Sequence, residues 1–464
     1  MIMALVGCLS FGQPWARADD ETFGGPPAPP SAPAPSEFQR WIDRTVPALP
    51  FPAAPSPPTA DLPPELAAVW RGVLPLPTGD PAFDAWPAGL DRLAPGDLVE
   101  WRDVTATTAP LAVVPIRRAL LLKFRTTAAS GVPSFGTATL VIPAAAWTGP
   151  GGRPVLTNAL PINALGARCT PSYALAHGIH DKFNTGDLFP PTTWWGLSRG
   201  YAVLVPDHEG PWMSYAEPAV AGHVVLDAIR AVRAVSPAEF ADSRFAVTGY
   251  SGGAIASYAT AMLLGDYAPE LSGVLAGAAA GGLVTDYRAL AHKFNGNIAS
   301  GILLAVSLAM AREHPELLAT MNHLAQWVAA SPVKDTCGDT NGPLGVIGIP
   351  IEIATNTADP LDSPAADRVL RQADLRDRTA GAPLLIYHGA HDFWLPIEGP
   401  RELYRQQCAR GVPAVFRPEP GEHLLGALAG FPEVVDWLDA RLRGVSAPTE
   451  CPAAPQQPPA SPPR

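Results

Sequence analysis

The chain has 464 residues, is 47% apolar, and carries 32 Lys and Arg against 43 Asp and Glu, a formal charge of −11. Length and apolar content allow a large core, so a globular protein is expected. No basic run occurs, which argues against nucleic acid as a partner because phosphate neutralisation needs clustered Lys and Arg; the acidity suits a soluble exported protein.

Residues Met1 to Phe11 are apolar and Ala16-Arg17-Ala18 precedes Asp19. Residues 1–18 therefore read as a secretory signal, although without the usual basic start. Leu5-Val6-Gly7-Cys8 also resembles a lipidation box, which would place the protein on a cell surface through Cys8. No other stretch has the length to cross a bilayer, and Gly301 to Ala311 has only about half of it. The 55 prolines concentrate at the ends. Pro26 to Pro35 and Pro452 to Pro463 read as extended tails. Pro47 to Pro64 contains Phe51 and follows Phe38 and Trp41, so it is expected to lie along the folded body. The expected organisation is a Pro-rich region over 19–65, one large domain over 66–451 with a helical insertion at about 283–375, and a Pro-rich tail over 452–464.

Within the domain, Ala119 to Phe124 and Thr137 to Ile142 are expected strands that pair as a hairpin. Tyr201 to Val205 is a short apolar run of the kind buried on both faces of a parallel sheet, and it ends at Pro206-Asp207-His208-Glu209-Gly210. Val220, Val224, Leu226, Ile229, Val232 and Val235 then recur at near-helical spacing. A β-prone run, Phe245 to Thr248, leads into Gly249-Tyr250-Ser251-Gly252-Gly253. Small helix formers follow, from Ala254 to Ala259. Strand, G-x-S-x-G and helix together describe a nucleophile elbow, where a serine sits on a tight turn and glycines avoid collision as the chain doubles back. The alternative is a structural glycine turn. Tyr287 to Ala330 is helical in pattern and strongly apolar, as either a static cap or a mobile lid would be. Pro383 to Tyr387 and Val412 to Phe416 are later strands, and Phe431 to Leu442 a closing helix. This alternation predicts an α/β architecture: a mostly parallel sheet with helices on both faces and an inserted helical cap.

A serine hydroxyl needs an adjacent base, and the base an orienting acid. Six of the ten histidines follow Ser251. His292, His314 and His323 fall in the insertion, and His388 and His391 precede the acid that the usual Ser–acid–His order requires. His423, in the turn Pro420-Gly421-Glu422-His423-Leu424 after the last strand, is the expected base. Asp392 directly follows the strand ending at Tyr387 and is the expected acid; Asp359 and Asp362 are the alternatives. His388-x-x-His391-Asp392 offers no third cluster of ligands, so neither metal nor organic cofactor is expected. The first oxyanion donor should be the backbone N–H of Gly252. The second should come from an earlier strand-to-helix loop, and Asp207-His208-Glu209-Gly210 is the one with such polar density. Without Cys8, four cysteines remain: Cys169, Cys337, Cys408 and Cys451. Three pairings are open, of which Cys169–Cys337 with Cys408–Cys451 is favoured, since the second would pin the chain before its tail; buried free thiols are the alternative.

Taken together, these motifs resemble the secretory lipase family. The likeness runs from Asp80-Pro81-Ala82-Phe83 through Leu122 to Thr127, Cys169-Thr170-Pro171-Ser172-Tyr173, Gly200-Tyr201, Asp207 to Gly210 and the elbow. It continues to Asp392, Cys408 and Glu422-His423, spanning about four-fifths of the chain. The resemblance implies an α/β-hydrolase fold and an extracellular lipase or esterase acting on ester or lipid substrates at a lipid–water interface. It also implies Ser251, Asp392 and His423 as its triad, and Asp207 beside Gly252 in the oxyanion hole. The Pro-rich N-terminal region departs from the family, and the family's C-terminal flap is shortened here. A short-chain esterase, an acyltransferase or a peptidase would share the fold. A non-catalytic lipid- or surface-binding protein is the reading of another class.

Overall fold

The computed structural model describes residues 33–452 except 56, 59–60, 180–190, 339–345 and 347. The expected signal segment, Cys8 and most of both Pro-rich tails lie outside the described residues. Nine strands form one sheet: β1 Leu98–Asp103, β2 Ile116–Thr127, β3 Pro133–Pro143, β4 Val155–Ala159, β5 Ala202–Pro206, β6 Phe245–Tyr250, β7 Leu275–Gly281, β8 Leu384–Gly389 and β9 Ala414–Glu419, in the order β1-β2-β3-β5-β4-β6-β7-β8-β9. β2 and β3 pair antiparallel as the expected hairpin, with Leu122 opposite Ala138. From β5 to β9 every pair is parallel.

Period-two alternation builds the two cores. Leu384 and Ile386 of β8, with Phe245 and Val247 of β6, face the helices Pro218–Val235 and Gly252–Tyr267. Leu385, Tyr387 and Ala246 face the closing helix His423–Leu442 and the short helix Thr192–Ser198. Strands buried on both faces need apolar side chains at every position, which is why β5, β6 and β8 read as continuous apolar runs.

The sequence pattern does not announce β1, β4 or β7. β7 is Leu-Ala-Gly-Ala-Ala-Ala-Gly, of low strand propensity, yet the packing demands small residues there: a Cβ at Gly277 would lie 2.5 Å from the Trp437 ring of the closing helix. That helix begins at His423, eight residues before its expected start, because Glu422 caps it by accepting from the Leu424 and Leu425 amides. Pro432 is therefore interior to the helix and does not open it.

Helices Tyr287–Phe294, Ser300–Glu313, His323–Ala330 and Pro364–Ala373 fill the interval between β7 and β8. Two N-terminal helices, Glu37–Thr45 and Pro64–Val73, bind this insertion. Trp327 Nε1 donates to Pro47 O at 2.9 Å, buried Gln39 donates to Thr357 O at 2.6 Å, and Lys334 Nζ donates to Gly72 O at 2.9 Å. Arg312, 0% exposed, is the hub of the seam. Its guanidinium donates to Val73 O, Leu165 O, Trp212 O and Lys334 O, tying the N-terminal region, the sheet edge and the insertion together. The favoured disulfides are present, Cys169–Cys337 and Cys408–Cys451, with Cα–Cα separations of 5.5 and 5.3 Å.

Candidate active site

Ser251 sits between β6 and the helix Gly252–Tyr267 with φ 55° and ψ −120°, a conformation that costs a non-glycine residue free energy. Its N–H donates to Gly281 O at 2.8 Å, which anchors the turn to β7. Glycine is needed on the far side of the serine by close approach: a Cβ at Gly253 would lie 2.0 Å from Ala159 O, and one at Gly252 would lie 1.9 Å from Asn163 Oδ1. The Gly252 N–H belongs to the first helical turn, where amides have no intrahelical acceptor and the helix dipole is positive.

His423 opens the closing helix, and Asp392 follows β8 by three residues. The structure brings them together: His423 Nδ1–H donates to Asp392 Oδ2 at 2.6 Å. The carboxylate can only accept, which leaves Nε2 of His423 as the unprotonated nitrogen of the neutral ring. Asp392 Oδ1 accepts from the Trp394 and Leu395 amides at 3.0 and 2.9 Å, and His388 Nε2 lies 3.3 Å from Oδ2. Burial pushes the Asp392 pKa up, but the His388, His423 and Leu395 hydrogen bonds overcome it and hold the carboxyl well below the ordinary range. The His423 ring packs on Tyr250, centroids 5.1 Å apart, and Tyr250 OH donates to His423 O at 2.5 Å. A Cβ at Gly282 would meet His423 Cε1 at 2.8 Å. Since Ser251 N is bonded to the adjacent Gly281, serine and imidazole converge on the end of β7. Both line one cavity of about 470 Å³, with Asn163, Cys337 and an apolar stripe from the closing helix.

Asp207 is not part of this arrangement, which corrects the expectation that it completes the oxyanion hole. It follows β5, and β4 intervenes between β5 and the elbow strand β6. Its backbone N–H is already donated to Thr137 O at 2.9 Å, and its carboxylate accepts from Thr137 Oγ1 at 2.5 Å and Ser172 N at 2.9 Å. The loop beside the elbow is the one after β4, residues 160–164, and its Asn163 carboxamide lies against Gly252. Sequence reasoning missed Asn163 because β4 went unrecognised. The available signal was the strand-to-loop break at Leu160-Pro161. His388, set aside as the base because it precedes the acid, lies buried against Asp392, its Nε2 3.3 Å from Oδ2.

The alternative acids sit elsewhere. Asp362 pairs with Arg288 at 3.3 Å, and Asp359 precedes the 3-10 turn Pro360–Asp362 in the insertion. Among the described residues no group of three or more His, Cys, Asp or Glu could hold a metal ion, and no helix is long and apolar enough to cross a membrane.

Three buried carboxyls lie behind the site and at its seam with the insertion. Burial raises Asp207 to about 7, Glu209 to about 8 and Glu313 to about 7. In the unfolded chain such groups titrate near 4. Between about pH 4 and pH 7 the folded state therefore holds protons that the unfolded chain has released, and stability falls as pH rises. Buried His208 and His223, pushed down to about 4, act in the opposite sense below about pH 6.5, so the test lies above it: Tm followed from about pH 6.5 to pH 8 should decrease, and Glu313→Gln should flatten the slope; a Tm that climbs through this window would contradict the assignment.

A family model described as secretory lipase matches residues 194–449, more than half of the chain. Lipase 4 of Candida albicans is 28% identical over 408 residues, covering 83% of this chain and 86% of that protein. A Mycobacterium tuberculosis protein described as a probable inactive lipase is 28% identical over 393 residues, covering 81% and 84%. The crystal structure of Candida antarctica lipase A superposes with a TM-score of 0.72 at 23% identity, over 82% of this chain and 89% of that one, which supports the α/β-hydrolase fold. From its family match and its fold, this chain belongs to the secretory lipase family of carboxylic ester hydrolases.

Proposed function

We propose that the protein is an exported serine hydrolase of acylglycerols that works through an acyl-enzyme. The observation that carries this reading is the convergence of a strained Ser251 and an Asp392-oriented His423 on one apolar cavity. Ser251 Oγ attacks the ester carbonyl while His423 Nε2 takes its proton. The imidazolium is stabilised by Asp392 and then protonates the departing alcohol. Water, deprotonated by the same imidazole, releases the acid.

The oxyanion of each tetrahedral intermediate is stabilised by the Gly252 N–H and the Asn163 carboxamide. A carboxamide supplies N–H donors at any pH, and half a turn about its last bond exchanges oxygen for nitrogen against Gly252. Asn163→Ala is expected to lower kcat about 100-fold or more with little change in KM. Asn163→Asp, a donor only when protonated, should keep activity at acid pH and lose it as pH rises. Wild-type kinetics in the Ala variant would remove Asn163 from the oxyanion hole.

Leu424, Ala427, Leu428, Phe431, Val434 and Leu438 recur at helical spacing along the cavity wall. That stripe extends for about 21 Å at 1.5 Å per residue, room for a long acyl chain. Hydrolysis rates across ester chain lengths, with emulsified triglyceride and a peptide panel beside them, test the reading. Activity should extend to long-chain esters and be absent on peptides. Activity confined to acetyl and butyryl esters would make the protein a short-chain esterase.

A further inference from the structure

The Asp207-His208-Glu209-Gly210 motif has no direct part in the chemistry above, yet its three ionisable side chains are 2%, 3% and 2% exposed. Burying such groups is costly unless each finds a partner, and two of the partners belong to the loop that carries Asn163. His208 Nε2 lies 2.7 Å from Leu160 O, at the loop's start. Burial holds that imidazole neutral, with a pKa near 4, so the nitrogen facing the carbonyl is the protonated one and donates. Glu209 Oε2 accepts from Ala164 N at 3.3 Å, at the loop's end, and the Asn163 amide is directed at the same carboxyl. One residue on, Arg312 Nη1 donates to Leu165 O at 2.8 Å. The loop is thus gripped at both ends by side chains that cannot move without breaking buried hydrogen bonds.

Between those grips Asn163 adopts φ 50°, in the left-handed region that asparagine tolerates better than most non-glycine residues. The opposite side is closed by the insertion: a Cβ at Gly338 would lie 2.8 Å from Ile162 O and 3.2 Å from Asn163 Cβ, and the neighbouring Cys337 is bonded to Cys169. We propose that His208 and Glu209 are positioning residues that fix the loop 160–164, and with it the Asn163 carboxamide, in the geometry that receives the oxyanion. They act through the loop and touch no reacting atom. The inference rests on the reading of Ser251 and Asn163 given above.

The test compares His208→Leu and Glu209→Leu with His208→Gln and Glu209→Gln, which retain a donor and an acceptor respectively. A trifluoromethyl ketone serves as probe. Ser251 Oγ bonds to its carbonyl carbon, the serine proton passes to His423, and the carbonyl oxygen becomes the anion that the hole must hold. A simple alkanol of matching chain length reports ground-state binding. In the Leu variants kcat should fall about 100-fold with KM within about threefold, and ketone affinity should fall in the same proportion while alkanol affinity holds. The Gln variants should recover most of the loss. Folded Leu variants with wild-type kcat, or a loss of kcat that ketone affinity does not follow, would overturn the proposal. Should the Leu variants not fold, Glu209→Asp, one methylene shorter at equal charge, carries the same expectation. Failure of the underlying function would show differently, as a wild type that neither hydrolyses esters nor binds the ketone.

Discussion

Replacing Ser251 with Ala is expected to lower kcat for ester hydrolysis by about 10⁵- to 10⁶-fold, the loss typical when a nucleophile whose partners act as a unit is removed. Residual turnover would come only from the oxyanion donors and substrate binding. The fold should survive, because the Ser251 backbone is held by its N–H bond to Gly281 and the elbow glycines stay in place. A sharper form of the same test uses stability. Ser251 occupies φ 55°, ψ −120°, which Gly tolerates and Ser and Ala do not, so Ser251→Gly should be inactive yet more stable than Ser251→Ala by about 1 kcal/mol. A substantial rate in either variant would mean that another group performs the attack.

Asp392→Asn should lower kcat by about 10⁴-fold near neutral pH, with the protein still folded. Asp392 accepts at both oxygens, from two backbone amides on Oδ1 and from His423 on Oδ2, with His388 close by. A carboxamide must turn its NH₂ toward one of those sets of donors. Turned toward His423, it forces the imidazole to accept at Nδ1 and places the proton on Nε2, where a base is required. His388 cannot substitute, because its Nε2 is engaged with Leu395 O at 2.8 Å. The pH–rate profile separates this from simple loss of structure. An imidazole in the wrong tautomer recovers activity as hydroxide takes over proton removal at high pH, whereas a misfolded site does not. A loss below about tenfold would show that the carboxylate neither orients nor stabilises the base.

The parts of this site that were legible in the sequence are those under hard local constraint. β5, β6 and β8 are buried on both faces and must be continuously apolar. The elbow needs glycines because its backbone passes within contact of β4. Asp392 and His423 follow the ends of successive strands, so chain order alone placed them. The loop proposed to hold the oxyanion, residues 160–164, was not legible, for a physical reason. β4 is five residues, Val-Leu-Thr-Asn-Ala, too short and mixed to stand out, and its insertion between β5 and β6 is a fact of topology that no local pattern encodes. With β4 unseen, Asp207 looked like the neighbour of the elbow and Asn163 like a residue in a featureless stretch. The start of the closing helix was hidden in the same way. Leu424 and Leu425, 64% and 55% exposed, break the expected polar outer face of its first turn, and Pro432 drew the boundary to itself.

The most direct measurement is covalent labelling with a serine-reactive fluorophosphonate, read by peptide mass mapping in the wild type and in Ser251→Ala. A single modified position at Ser251, blocked by prior acylation with a slow ester and absent from the variant, is the predicted result. Labelling that persists at another residue when Ser251 is replaced would contradict the account.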